Sequence, residues 1–394
     1  MKKYYKNYTE TAHKGFNFQT FFQKNNLTRS FFLLLLFTSF LSLQCSDKAA
    51  NTAETKFQTA IDSLYNATIS SDGPGAAVLV SYQGNKIISK GYGLRNLEAH
   101  KPVTPSTNFR IASVSKQFTA LCILKLVDEG KLSLQDSVIN YLPYPIFHNM
   151  TIQQLINHTS GLPAFDDYFL NQWDKTRIVE NEDVLSWLLT QPKPNFKPGE
   201  NFEYSNTAYL MLALIVEKAS GMEFSSYAKK HVFQSLGMDF TNYFSLANPV
   251  KITERALCYE KDSTGNYENK DGFFMNGIMG DGAVYTSIND YYHYDIALRK
   301  KTFLSEATQK LLFKPGSTEK RNGRQDRYYA MGWYITDAAA YHTGGWLGAN
   351  AFVIRYFNKP LTVAIFMNSD TLFKSGLIDK TLKHTQAYVN KSNQ

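Results

Sequence analysis

Two sets of strand-like apolar runs, one near each end of the chain with a helix-rich stretch between them, constrain this sequence most. Ala76–Tyr82 and Lys86–Tyr92 are joined by Gln83-Gly84-Asn85, a hairpin signal. Beyond Arg327 a period-two apolar pattern returns in Tyr328–Ile335, Ala351–Phe357 and Leu361–Met367, and a helix follows from about Lys374. The interval reads as helical, with Val114–Asp128, Thr151–Asn157, Val184–Leu189, Ala208–Ala219 and Asp290–Arg299 as candidates between loops rich in Pro and Gly. Strands from both ends can share one sheet only if the helical stretch is an insertion. The pattern therefore predicts an α+β, three-layer fold: an antiparallel sheet built from the N- and C-terminal segments, flanked by helices, with an inserted mostly helical lobe. The sheet lobe should span about 57–110 and 325–394 and the helical lobe about 111–324, with a cleft where they meet.

The first 44 residues stand apart. Lys2, Lys3, Lys6, Lys14, Lys24 and Arg29 against Glu10 place +5 of the formal charge of +8 there, which leaves +3 for the body. The body is thus not a polyanion-binding surface, and no basic-aromatic stripe points to nucleic acid as a partner. A basic segment, the thirteen-residue apolar run Phe31–Leu43 and a polar region from Cys45 have the anatomy of a secretory signal, and the run is short for a membrane span. Residues 45–56 read as a polar linker before a helix over Phe57–Ser70.

Leu41-Ser42-Leu43-Gln44-Cys45 resembles the lipobox of bacterial lipoproteins, which implies lipid on Cys45, export to the cell envelope and attachment to a membrane through that lipid. An uncleaved anchor and a soluble export signal are the competing readings. Three cysteines make no disulfide framework in a chain of 394 residues, and Cys122 sits among apolar residues where a buried thiol is expected. No metal-binding motif occurs, so neither metal nor organic cofactor is expected.

The chemistry begins with Ser-X-X-Lys, a spacing so common that about two chance matches are expected in a chain of this size. Three occur: Ser113–Lys116, Ser226–Lys229 and Ser317–Lys320. The last lies in a polar loop and the second precedes Lys230 and His231 on a solvated face, whereas Ser113 opens a helix that is apolar nearly all round from Phe118 to Leu124. On a helix, residues three apart share a face, so the Lys116 amine reaches the Ser113 hydroxyl. Burial disfavours the ammonium and makes the amine a better proton acceptor. The helix start offers unpaired N–H groups where an oxyanion would form. Taken alone, the pair is equally a helix cap with a lysine reaching to the surface.

Arg110-Ile-Ala-Ser-Val-Ser-Lys-Gln-Phe-Thr-Ala120 resembles the nucleophile segment of the serine β-lactamase and penicillin-binding superfamily, which includes class C β-lactamases, D-Ala-D-Ala carboxypeptidases and esterases. Tyr204-Ser205-Asn206 matches its Tyr-X-Asn element, and His342-Thr343-Gly344-Gly345 matches its Lys/His-Thr-Gly element on an edge strand. Leu155–Pro163, Ala219–Gly221, Leu236–Met238 and Gly280–Ser287 look like the same branch, so the likeness extends over about Gly75 to Met367. The resemblance implies an acyl-enzyme hydrolase acting on an amide or ester carbonyl of a small molecule or peptide. Ser113 would be its nucleophile, Lys116 or Tyr204 the base, and Asn206, His342, Thr343 and Gly344 would orient substrate. Backbone N–H groups of Ser113 and Gly345 would form the oxyanion hole. Tyr204 would serve as base if neighbouring positive charge lowered its pKa, and Asn206 could also simply cap the helix it opens. His342 replaces the permanent charge of a lysine with a mostly neutral imidazole, which weakens carboxylate binding and argues against a true β-lactamase. A non-catalytic penicillin-binding sensor is the alternative from another class.

Overall fold

The computed structural model describes residues 39–321 and 326–392, with side chains from Thr52 onward. The export segment lies largely outside the described residues, as does the Cys45 side chain. No helix among the described residues is long and apolar enough to cross a membrane. Helix α1 (Ser39–Thr68) runs through the stretch expected to be a polar linker. Nothing in residues 45–56 breaks a helix, since they contain neither Gly nor Pro.

The chain divides into two units. One comprises residues up to Thr68 with those from Lys374 onward, and the other residues 69–373. In the first, Phe57 of α1 stacks on Tyr388 of the C-terminal helix Leu377–Ser392 with ring centroids 4.8 Å apart.

The second unit carries an eight-stranded antiparallel sheet. Its strands in chain order are β1 (Ala76–Tyr82), β2 (Asn85–Tyr92), β3 (Ser317–Glu319), β4 (Arg327–Ala330), β5 (Trp333–Ile335), β6 (Ala339–Trp346), β7 (Ala349–Tyr356) and β8 (Leu361–Met367), ordered β3-β4-β5-β6-β7-β8-β1-β2 in space. The early hairpin thus joins the sheet through β1 against β8, with Ala76 opposite Met367 and Tyr82 opposite Leu361. Every residue of β1, β7 and β8 is buried, the mark of strands covered on both faces. The α+β expectation holds. The run Tyr328–Ile335 is two strands rather than one, because Met331 and Gly332 at φ 48° and 79° turn the chain.

Between the strand blocks lies the helical stretch. Helix α2 (Lys116–Asp128) is buried from Lys116 through Leu124, and it packs on α3 (Asn206–Ser220), whose buried run is Thr207–Val216. Ser205 caps α3, its hydroxyl accepting from Ala208 N–H at 3.1 Å. Helix α4 (Ile288–Lys300), capped by Ser287, packs on β1 and β8.

Candidate active site

The nucleophile candidate does not open the α-helix itself. Ser113 lies in a 3₁₀ turn, Ala112–Ser115, immediately before α2, and Ala112 takes the left-handed φ of 46°. A non-glycine residue in that region costs about 1 kcal/mol or more and persists only where the surroundings hold it. Here Ile111 N–H donates to Val284 O at 3.0 Å and Val284 N–H donates to Ser115 Oγ at 3.1 Å, clamping the turn from both sides.

Lys116 is completely buried, and its ammonium donates to Asp281 O at 2.7 Å, Asn206 Oδ1 at 2.8 Å and Ser113 Oγ at 3.3 Å. The Tyr204 and Tyr209 rings lie 4.9 and 5.5 Å from it. Burial pulls the Lys116 pKa down to about 8, against the opposing carboxylates of Asp281 and Asp166. The Asp281 carboxyl beside it is pushed up by the same burial. Lys116 therefore exchanges its proton near neutrality, within hydrogen-bond reach of a serine hydroxyl.

Tyr204 stands on the segment that caps α3. Its hydroxyl is buried with no regular hydrogen-bond partner among the described residues. Burial drives its pKa well above the ordinary tyrosine range, and the nearby Ser113 hydroxyl and Arg327 offset little of that. The shift is upward, opposite to the lowering by positive charge that would make Tyr204 an ionised base. His158 holds this segment in place. Its carbonyl accepts from Glu203 N–H at 2.9 Å, its Nδ1 accepts from Ser205 N–H at 3.1 Å, and its ring lies 4.3 Å from that of Tyr204. Burial, with Lys116 and His342 nearby, keeps His158 neutral.

The third element arrives on β6. Although β6 is interior in the strand order, β5 pairs only with Tyr341 and Ala340, so residues 342–346 run beyond the β5 pairing while staying paired with β7. Gly344 passes so close to the nucleophile turn that an added Cβ would sit 2.1 Å from Ile111 O and 3.2 Å from Ser113 N. Leu347 and Gly348, both at positive φ, make a two-residue turn that sets Trp346 opposite Ala349 as a hydrogen-bonded pair. Alternation then points the Gly345 N–H away from β7, one residue on from the contact of Gly344 with the nucleophile turn.

His342 is turned inward rather than towards solvent. It is 1% exposed, its Nδ1 donates to Thr343 O at 2.6 Å, and a neutral ring accepts from Tyr329 Oη through Nε2 at 3.3 Å. Thr343 remains partly exposed. The other two Ser-X-X-Lys pairs stay apart from this cluster. Lys229 donates to Asp239 O and Thr241 O, and Lys320 pairs with exposed Asp326.

Asp281, His158 and Tyr329 were not assigned roles from sequence. The first two lie in segments noted for resemblance, Gly280–Ser287 and Leu155–Pro163, but their contacts link residues too far apart in the chain to be read from spacing.

A family model described as Beta-lactamase matches residues 55–387. The chain belongs to the β-lactamase family. Penicillin-binding protein 4* of Bacillus subtilis (strain 168) is 31% identical over 324 residues, 78% of this chain and 71% of the relative. Among solved structures, the octameric penicillin-binding protein homologue from Pyrococcus abyssi superposes with a TM-score of 0.70 at 26% identity, covering 82% of this chain and 77% of the other. The D-amino acid amidase from Ochrobactrum anthropi SV3 superposes at 0.72 and 19% identity over 88% of this chain and all of the other, a likeness of fold alone. The chain is a serine hydrolase of the β-lactamase and penicillin-binding superfamily.

Proposed function

We propose that the protein is an exported, D-Ala-D-Ala carboxypeptidase-like or esterase-like hydrolase that forms an acyl-enzyme on Ser113. The observation that carries this is the buried Lys116 amine, with a pKa of about 8, donating to Ser113 Oγ at 3.3 Å. In its neutral form Lys116 takes the Ser113 proton as Oγ attacks the carbonyl carbon. The oxyanion is held by the N–H groups of Ser113 and Gly345. Tyr204, kept as a phenol by burial, donates a proton to the departing nitrogen or oxygen and is reprotonated from Lys116. Water then adds to the acyl carbonyl and releases acid and free Ser113. Asn206 and Asp281 O orient the amine. Substrate recognition by a carboxylate is weak, since β6 carries neither Lys nor Arg and His342 is buried against Tyr329.

The test is a panel of p-nitrophenyl acetate, a D-Ala-D-Ala peptide and a chromogenic cephalosporin on wild type and Ser113→Ala. Ester or peptide turnover that disappears in the variant is expected, with slow or no cephalosporin turnover. Activity surviving in Ser113→Ala overturns the reading, and fast cephalosporin turnover replaces it with a β-lactamase. Penicillin labelling without any turnover makes the protein a sensor. Expressed from the full sequence, the same activity should enter the detergent phase, and Cys45→Ser should leave it in the aqueous phase. Equal partition of the two removes the lipid.

A further inference from the structure

Resting on that reading, we infer that Trp346 and the segment Phe273–Asp281 form an apolar subsite for the acyl part of the substrate, selecting acids with an aromatic or bulky apolar side chain. Along β6, His342, Gly344 and Trp346 share one face, about 7 Å apart. Gly344 marks that face as the one meeting the nucleophile turn, through its approach to Ser113 N. On one side of it stands His342, with the Tyr204 ring 6.2 Å away. On the other stands Trp346, partly exposed and adjacent to the oxyanion N–H of Gly345. The leaving group departs towards its proton donor, Tyr204, so the acyl group extends towards Trp346.

The indole is held there by a built contact. Its Nε1–H donates to Asn276 Oδ1 at 2.7 Å, and Asn276, 3% exposed, donates in turn to Asp271 O at 2.9 Å. Phe273, also partly exposed, lies 6.0 Å from the indole in an edge arrangement. The same segment ends at Asp281, whose carbonyl receives the Lys116 ammonium. One short stretch of chain therefore touches both the indole and the proposed base, and an acyl group on Ser113 lies between that stretch and β6. Partly exposed aromatic side chains fixed in place, rather than buried, suit a flat apolar ligand.

The experiment compares kcat/KM for p-nitrophenyl phenylacetate and p-nitrophenyl acetate in the full chain. Trp346→Ala is expected to lower the phenylacetate value by about tenfold or more while changing acetate by less than about threefold. Trp346→Phe should restore most of the ratio, and Asn276→Ala, which frees the indole without removing it, should fall between. A parallel fall in both esters, or an unchanged ratio, overturns the subsite. Loss of acetate turnover in Ser113→Ala tests the underlying reading separately, so the two failures are told apart.

Discussion

Lys116 shows how a single position couples fold to chemistry. Placing an ammonium at zero exposure is costly, and three acceptors offset part of that cost: Ser113 Oγ, Asn206 Oδ1 and Asp281 O. The depressed pKa means that protons leave the amine as pH rises through about 8. If the neutral amine takes the serine proton, acylation should be low well below pH 8 and should rise to a plateau above it. Stopped-flow acylation from pH 6 to 10 reads this directly. Lys116→Arg, whose guanidinium does not deprotonate, should lose the plateau and at least about a hundredfold in rate. Tyr204→Phe should lower the rate about 10²–10⁴-fold yet keep the same midpoint, because the raised phenol pKa places no tyrosine titration in that range. A midpoint that vanishes in Tyr204→Phe would hand the titrating role to tyrosine. Sequence context set Ser113–Lys116 apart from the other two pairs, because a helix with no polar face is expected to be buried, while the choice between a helix cap and a nucleophile rested on the downstream motifs. It could not decide the protonation of Tyr204, which depends on how completely its hydroxyl is enclosed.

At the scale of elements, the site is a meeting of a strained turn and the stretch of β6 that runs beyond β5. The turn Ala112–Ser115 and that stretch of β6 are both backbone features, and Gly344 is where they touch. A methyl at Gly344 would overlap Ile111 O, so Gly344→Ala must push the strand from the turn and displace the Gly345 N–H. An error of about 1 Å in such a position costs on the order of 10² in rate. Gly344→Ala is therefore expected to lose about a hundredfold in kcat with a lowered Tm, while Gly272→Ala, where the added Cβ meets nothing within 4 Å, changes neither. Equal activity of the two variants would mean that the contact is not needed. The ordered motifs made β6 recognisable in the chain, and two runs, β1 and β8, match their expected bounds. The stretch of β6 beyond β5 was legible only in part. Its exposure arises because β5 is short, and the turn at Met331-Gly332 that shortens it continues the apolar pattern across the break and hides it from a periodicity argument.

Across the whole sheet unit, the helical insertion must be tied to the late strands, and a buried ion cluster on α4 does this. Asp295 accepts from Arg299 Nε at 3.0 Å and Thr362 Oγ1 at 2.8 Å and also pairs with Arg355, joining α4 to β7 and β8. Arg299 reaches on to Leu361 O at 2.9 Å. The Asp295 side chain is 3% exposed and that of Arg355 9%, so removing the carboxylate leaves guanidinium charge buried without its counter-ion. Breaking a buried pair in this way costs about 3–5 kcal/mol. Asp295→Ala should then lower Tm by roughly ten degrees without changing kcat of the folded enzyme, since no atom of the cluster enters the Ser113–Lys116–Tyr204 set. The surface pair Lys310–Glu306, with side chains 72% and 79% exposed, is the internal comparison. Glu306→Ala should move Tm by no more than about one degree. Calorimetry on both variants beside ester turnover at 25 °C separates the two effects. The ion cluster could not be foreseen from the chain, because Asp295 and Arg355 come together only when the helical insertion is laid back on the strands that follow it. If Asp295→Ala melted with the wild type, the helix would be held to the sheet by apolar packing alone, through the fully buried side chains of Ile288, Val363 and Phe366.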